Sequence, residues 1–210
     1  MAYSDFKLNK LLKSFNLTQN RYPLFEQIKP LEIDPWLKET LNKGMQLIVG
    51  SEKARSELIV MPILLASRER NQNCFAIYSG ETLDVNTDKG LNGECDFILT
   101  YSQPLPAIQS PIFTVVEAKK NAIESHLGQC AAQMLGAQLF NQNENNDCEV
   151  IYGCVTTGEA WQFLKLENEI LHIDSRRYYI NNVNEILGVL QVIIDFYNSF
   201  LKTSESSPQT

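Results

Sequence analysis

Apolar and polar positions divide the chain into three helical stretches, three strands, one long helix, three further strands and a closing helix. Residues 4 to 16, "SDFKLNKLLKSFN", space Phe6, Leu8, Leu11, Leu12 and Phe15 at helical intervals and predict a first helix capped by Ser4 or Asp5. Pro23 and Pro30 mark a loop. Pro35 then opens a second amphipathic helix, "WLKETLNKGMQLI", expected to end near Gly50. Ser51 caps a third, "SEKARSELIVMPILLASRER", which Pro62 is expected to bend or break because proline offers no N–H and its ring crowds the preceding turn.

From Cys74 the period changes from helical to alternating. "CFAIYSGETLDVN" and "GECDFILTYS" read as strands around a turn in "TDKGLNG", and a Pro-rich link leads to a third strand, "IFTVVEAKK". "AIESHLGQCAAQMLGAQLFNQ" is long and rich enough in Ala, Leu and Gln for a helix of several turns, ended by "NQNENND". "CEVIYGCVTT", "AWQFLKLEN" and "ILHIDS" predict strands, and "NVNEILGVLQVIIDFYNSFL" predicts a closing helix. The order α-α-α-β-β-β-α-β-β-β-α argues an α/β or α+β fold: a mixed sheet flanked by helices.

Composition narrows the field. The 210 residues suit one domain, or one domain with a helical extension, and 44% hydrophobic with 20% charged residues is ordinary for a soluble globular protein. No run approaches ~18 apolar residues and "MAYSDFKLNK" lacks a signal peptide's apolar core, so a cytoplasmic protein without membrane contact is expected. Five cysteines without a CxxC pair point to buried free thiols, and two isolated histidines, His126 and His172, build neither a histidine-rich metal site nor a Ser-His-Asp triad. No serine or cysteine sits in a nucleophile-elbow context. The net charge of −7 is unhelpful for gripping phosphates over a wide surface. A local basic groove would have to draw on Arg55, Arg68, Arg70, Lys119, Lys120, Arg176 and Arg177.

One strand end stands out. Side chains alternate along a strand, so in "TVVEAKKN" Glu117 and Lys119 share a face while Ala118 points into the packing. On a surface this would be an ion pair worth ~0–1 kcal/mol. A second acid, Asp96, interrupts a strand of Phe97, Ile98 and Leu99, where burial is costly unless the carboxylate is paired or holds a cation. If the two strands run antiparallel, Asp96 lies beside Glu117. Two carboxylates suit Mg²⁺ or Mn²⁺, which take oxygen ligands from few side chains plus water and phosphate; the Ala118 carbonyl would add a third oxygen, and Lys119 would orient water or stabilise developing charge.

Asp96, a 20-residue gap, then Glu117-Ala118-Lys119 between a Glu-bearing and a Gln-bearing helix resembles the PD-(D/E)XK nuclease superfamily, the restriction-endonuclease-like fold. "SEKARSELIVMPIL" is similar to the first helix of the nuclease domain in type I restriction-enzyme R subunits and cyanobacterial-type relatives. The likeness covers roughly residues 51 to 165. It implies a restriction-endonuclease-like domain over 51–202 with an N-terminal helical extension over 1–50; the tail over 203–210 has nothing to bury and is expected to be disordered. It implies a magnesium-dependent nuclease acting on DNA, with Asp96 and Glu117 as metal ligands and Lys119 as catalytic lysine, and it admits a homodimer. The family's helix glutamate corresponds to Glu52 or Glu57, and its Q-x-x-x-Y glutamine to Gln129, with Gln133 where the tyrosine would stand. Cys95 replaces the family's proline before the aspartate. The rival is a catalytically inactive protein of the same fold that binds nucleic acid or a protein partner.

Overall fold

The computed structural model describes residues 1–47, 51–146 and 148–205, with side chains to residue 200. The expected end of the second helix near Gly50 and the tail beyond residue 205 lie outside the described residues. Helices α1 (Leu8–Ser14), α2 (Pro35–Leu47), α3 (Glu52–Arg55), α4 (Met61–Arg70), α5 (Ile123–Asn143) and α6 (Val183–Glu205) surround the strands. These are β1 (Thr18–Tyr22), β2 (Ala76–Thr82), β3 (Glu94–Thr100), β4 (Ile112–Ala118), β5 (Val150–Thr156), β6 (Ala160–Glu167), β7 (Ile170–Asp174) and β8 (Tyr178–Tyr179).

They form one eight-stranded mixed sheet in the order β1-β7-β6-β5-β4-β3-β2, with β8 paired to β6. The chain is therefore mixed α/β, as its pattern predicts. Strand alternation sends Val116 and Cys154 to a core shared with α2, α4 and α6, and a register shift opposite Leu99 and Thr100 brings Phe113 to the same face. Val115, Ile151 and Val155 go to a second core under α1 and α5. Each face of the sheet is covered, and β1, β4, β5 and β7 all end at the same edge.

Three local expectations change. The N-terminal helix begins at Leu8 after an extended Lys7, and Asp5 instead accepts the Ala2 N–H at 2.8 Å within a 3-10 turn, Tyr3–Asp5. Strand β1, polar and exposed along its length, shows no apolar alternation because it pairs on one side only, in parallel with β7. Helix α6 continues through Glu205, three residues into the stretch read as tail.

Pro62 neither breaks nor stops its helix. A π turn, Ser56–Val60, joins α3 to α4, with the Met61 N–H reaching Ser56 O five residues back. Proline leaves the Leu58 carbonyl without its usual i+4 donor. Gly44 of α2 packs against that carbonyl so closely that a Cβ there would sit 2.7 Å from the oxygen. Among the described residues no helix is long and apolar enough to cross a membrane.

Candidate functional site

The end of β4 carries the cluster. Antiparallel pairing of Phe97 with Val116 and Ile98 with Val115 continues, one step on, to Asp96 opposite Glu117. Asp96 Oδ2 accepts the Ala118 N–H at 2.7 Å, so the side chain takes the place of a ladder bond where the strand pair ends. On the other side, the Lys119 N–H donates to Thr156 O at 2.7 Å and holds the strand end to β5.

Lys119 Nζ lies 2.7 Å from Glu117 Oε1, with the two side chains 12% and 2% exposed. This is a buried pair, not the surface pair that the strand end alone would suggest. Ala118 points to the opposite core. Helix α5 supplies two more donors to the same carboxylate: Gln129 Nε2 to Oε1, and Gln133 Nε2 to Oε2 at 2.7 Å. The helix can come this close because β5 carries Gly153, where a Cβ would stand 2.9 Å from Cys130 Sγ and overlap Met134. Gln133 is fully buried, and its Oε1 has no partner among the described residues.

Of the two candidate helix glutamates, Glu52 comes to the cluster. Its Oε1 accepts the Lys120 N–H at 3.2 Å. Glu57, in the π turn, is exposed and lies 3.9 Å from Lys53 as a surface pair. One turn beyond Glu52, Arg55 pins α3 to the β5–β6 hairpin, donating to Thr157 O at 2.5 Å and pairing with Glu159 at 3.1 Å. Ser51 Oγ accepts the Ala54 N–H at 3.4 Å, as its capping role predicts.

Burial and crowding set the charges. Burial, reinforced by the charge of Asp96, pushes Glu117 up to about 7 despite Lys119 and Gln133. Burial also raises Asp96, opposed by the Ala118 N–H and by Lys119. Burial works against the Lys119 ammonium, but Glu117, Asp96 and Glu52 outweigh it and raise its pKa. Three carboxylates thus share one ammonium. Glu117 is buried, Asp96 half-buried and Glu52 exposed, and groups perturbed by burial together with a charge partner cluster at functional sites.

The other cations do not join one groove. Arg68 donates to Phe75 O at 2.6 Å and Arg70 to Glu32 O at 2.6 Å, both tied to their own neighbourhoods. Arg176 donates to Phe25 O at 3.3 Å, and Arg177 pairs with Glu124 at the start of α5. Cys95, the residue before Asp96, is buried, and burial pushes its thiol far up, reinforced by Glu117. All five cysteines are free. Trp161 is core, its Nε1–H donating to Gly158 O at 3.2 Å in the hairpin turn.

The sequence places Gln133 only where a tyrosine would stand and assigns it no role. Its i,i+4 relation to Gln129 places both amides on one helix face, which was the available signal. No protein-family model matches the chain, and no curated protein does. Among the described residues, no group of three or more His, Cys, Asp and Glu side chains converges as a metal cage.

Proposed function

We propose that the chain is a magnesium-dependent phosphodiesterase of the PD-(D/E)XK type that hydrolyses DNA. One observation carries the reading: Glu117, Asp96, Lys119 and Glu52, from three separate segments, meet at the end of β4 with Glu117 buried and its pKa raised. An ordinary strand-end ion pair needs neither a facing aspartate nor two helix amides, one of them fully buried.

The donor set fits a hard divalent cation. Asp96 uses only Oδ2 in hydrogen bonding among the described residues, which leaves Oδ1 for a ligand. Two carboxylates, the Ala118 carbonyl, water and phosphate oxygens match the sparse protein ligation that Mg²⁺ accepts. A bound Mg²⁺ would polarise the phosphoryl group and lower the pKa of a bound water. Asp96 and Glu117 would hold it. Gln129 and Gln133 fix the Glu117 carboxyl plane, and Lys119, its ammonium retained, orients the attacking water and stabilises charge on the phosphate oxygens.

The rival, a catalytically inactive protein of the same fold, has one observation in its favour. Glu117 already has three donors within the protein. Titration calorimetry with Mg²⁺ or Mn²⁺ separates the two. Binding by the wild type that is lost in both Asp96→Ala and Glu117→Ala supports the hydrolase; no binding by the wild type, with or without DNA, leaves the inactive form.

A further inference from the structure

The edge of the sheet that ends in Glu117 and Lys119 continues past α5 to a second feature. Glu117 pairs with Val155, and Val155 pairs with Gln162. Two strand spacings of ~4.8 Å set Gln162 roughly 10 Å from Glu117 on the same face. Gln162 is buried. Its Nε2 donates to Asp174 O at 2.6 Å and Arg176 O at 3.0 Å, and its Oε1 accepts the Arg177 Nε–H at 3.3 Å.

The Arg177 guanidinium is therefore held in place over a cleft of about 320 Å³ between α1, the first turn of α5 and the ends of β1 and β7. Leu8, Leu127 and Ile173 form its apolar floor. Arg21, the penultimate residue of β1, pairs in register with Ile173 and so projects to the same face. It makes no hydrogen bond or ion pair among the described residues. Ligands of open α/β sheets bind outside the carboxyl ends of the strands, where this cleft lies.

We propose that this cleft holds one nucleotide unit of the DNA strand, its phosphate on Arg21 and Arg177 and its sugar or base against Leu8, Leu127 and Ile173. The proposal rests on the nuclease reading of the Glu117 cluster. Two guanidinium forks match phosphate oxygens, and an apolar floor of this size suits a small-molecule unit. Gln162, at the near wall of the cleft, lies about three nucleotide rises of ~3.4 Å from Glu117, and Arg21, four strand spacings of ~4.8 Å away on β1, about six, so a strand of several nucleotides crossing the start of α5 reaches both places. Glu124, exposed in the first turn of α5, offers Arg177 a carboxylate where the phosphate would go. The phosphate takes Arg177 from it, and Glu124 turns to solvent.

The test is fluorescence anisotropy with a labelled single-stranded oligodeoxythymidylate and the full chain in EDTA, so that binding is read without cleavage. Arg21→Ala, an exposed substitution, should weaken binding roughly tenfold. It should also lower the salt slope by ~0.7, the contribution of one phosphate contact on a single strand. Glu124→Gln should tighten binding by releasing Arg177. Wild-type affinity and salt slope in Arg21→Ala, or weaker binding in Glu124→Gln, would overturn the cleft assignment even if Mg²⁺-dependent cleavage is present. Binding in EDTA that depends on Arg21, with no cleavage of the same oligonucleotide in a parallel Mg²⁺ assay, would support the cleft and sink the nuclease reading instead.

Discussion

Gln133 Nε2 donates to Glu117 Oε2 at 2.7 Å from a position with no solvent exposure. Of the buried amides of α5, Gln138 and Asn141 bond main-chain groups of Glu149 and Ile112, whereas Gln133 donates to this carboxylate. Gln133→Leu keeps the volume and removes the donor. It should destabilise the fold by ~1–3 kcal/mol, because Oε2 is left unsatisfied. It should also weaken Mg²⁺ binding ~10–100-fold, as loss of a ligand's supporting partner does. Urea denaturation and metal titration read the two effects, and Gln133→Glu would not restore either.

The raised pKa of Glu117 has a definite sign. A carboxyl group whose folded pKa, about 7, lies above its unfolded value of 4.5 holds its proton more tightly when folded. Its contribution to stability is present below the unfolded value and is lost as pH rises towards 7. In the metal-free protein, Glu117→Gln should flatten that loss between about pH 4.5 and 7. Metal must displace the same proton, so Mg²⁺ affinity should fall about tenfold per pH unit below 7, with proton release visible as buffer-dependent binding heat.

Glu52 and Glu57 should behave differently. Glu52→Gln removes a carboxylate from the field of Asp96 and Lys119 and should lower DNA cleavage severalfold or more. Glu57→Gln, a change at an exposed surface pair, should leave cleavage and stability within error. Equal effects would contradict the placement of α3.

Gly128 of α5 faces the start of α1, where a Cβ would lie 2.5 Å from Phe6 O and from the Lys7 carbonyl carbon. These are backbone atoms and cannot swing aside. Gly128→Ala should therefore cost ~1–3 kcal/mol by overpacking, despite alanine's better helix propensity, and thermal denaturation would show it.

Legibility from sequence followed burial. Asp96, Glu117 and Lys119 could be placed together because strand period and antiparallel register are strongly specified when both faces are buried. Strand β1 could not, because "TQNRY" at a sheet edge buries none of its residues. Choosing between Glu52 and Glu57 required the π turn, which inserts a residue that a 3.6-residue period does not reveal. Gln133 was visible only as the residue in a tyrosine's place; that it donates to Glu117 needed the packing of α5 on β4.

The most direct test is cleavage of single-stranded and duplex DNA by the purified chain in Mg²⁺, set against EDTA and against Lys119→Ala. Activity that requires Mg²⁺ and falls by ~10²–10³-fold in Lys119→Ala is the expected result, the scale for losing one group that stabilises transition-state charge. Cleavage unchanged in Lys119→Ala, or no cleavage by a wild type shown to be folded, would contradict it.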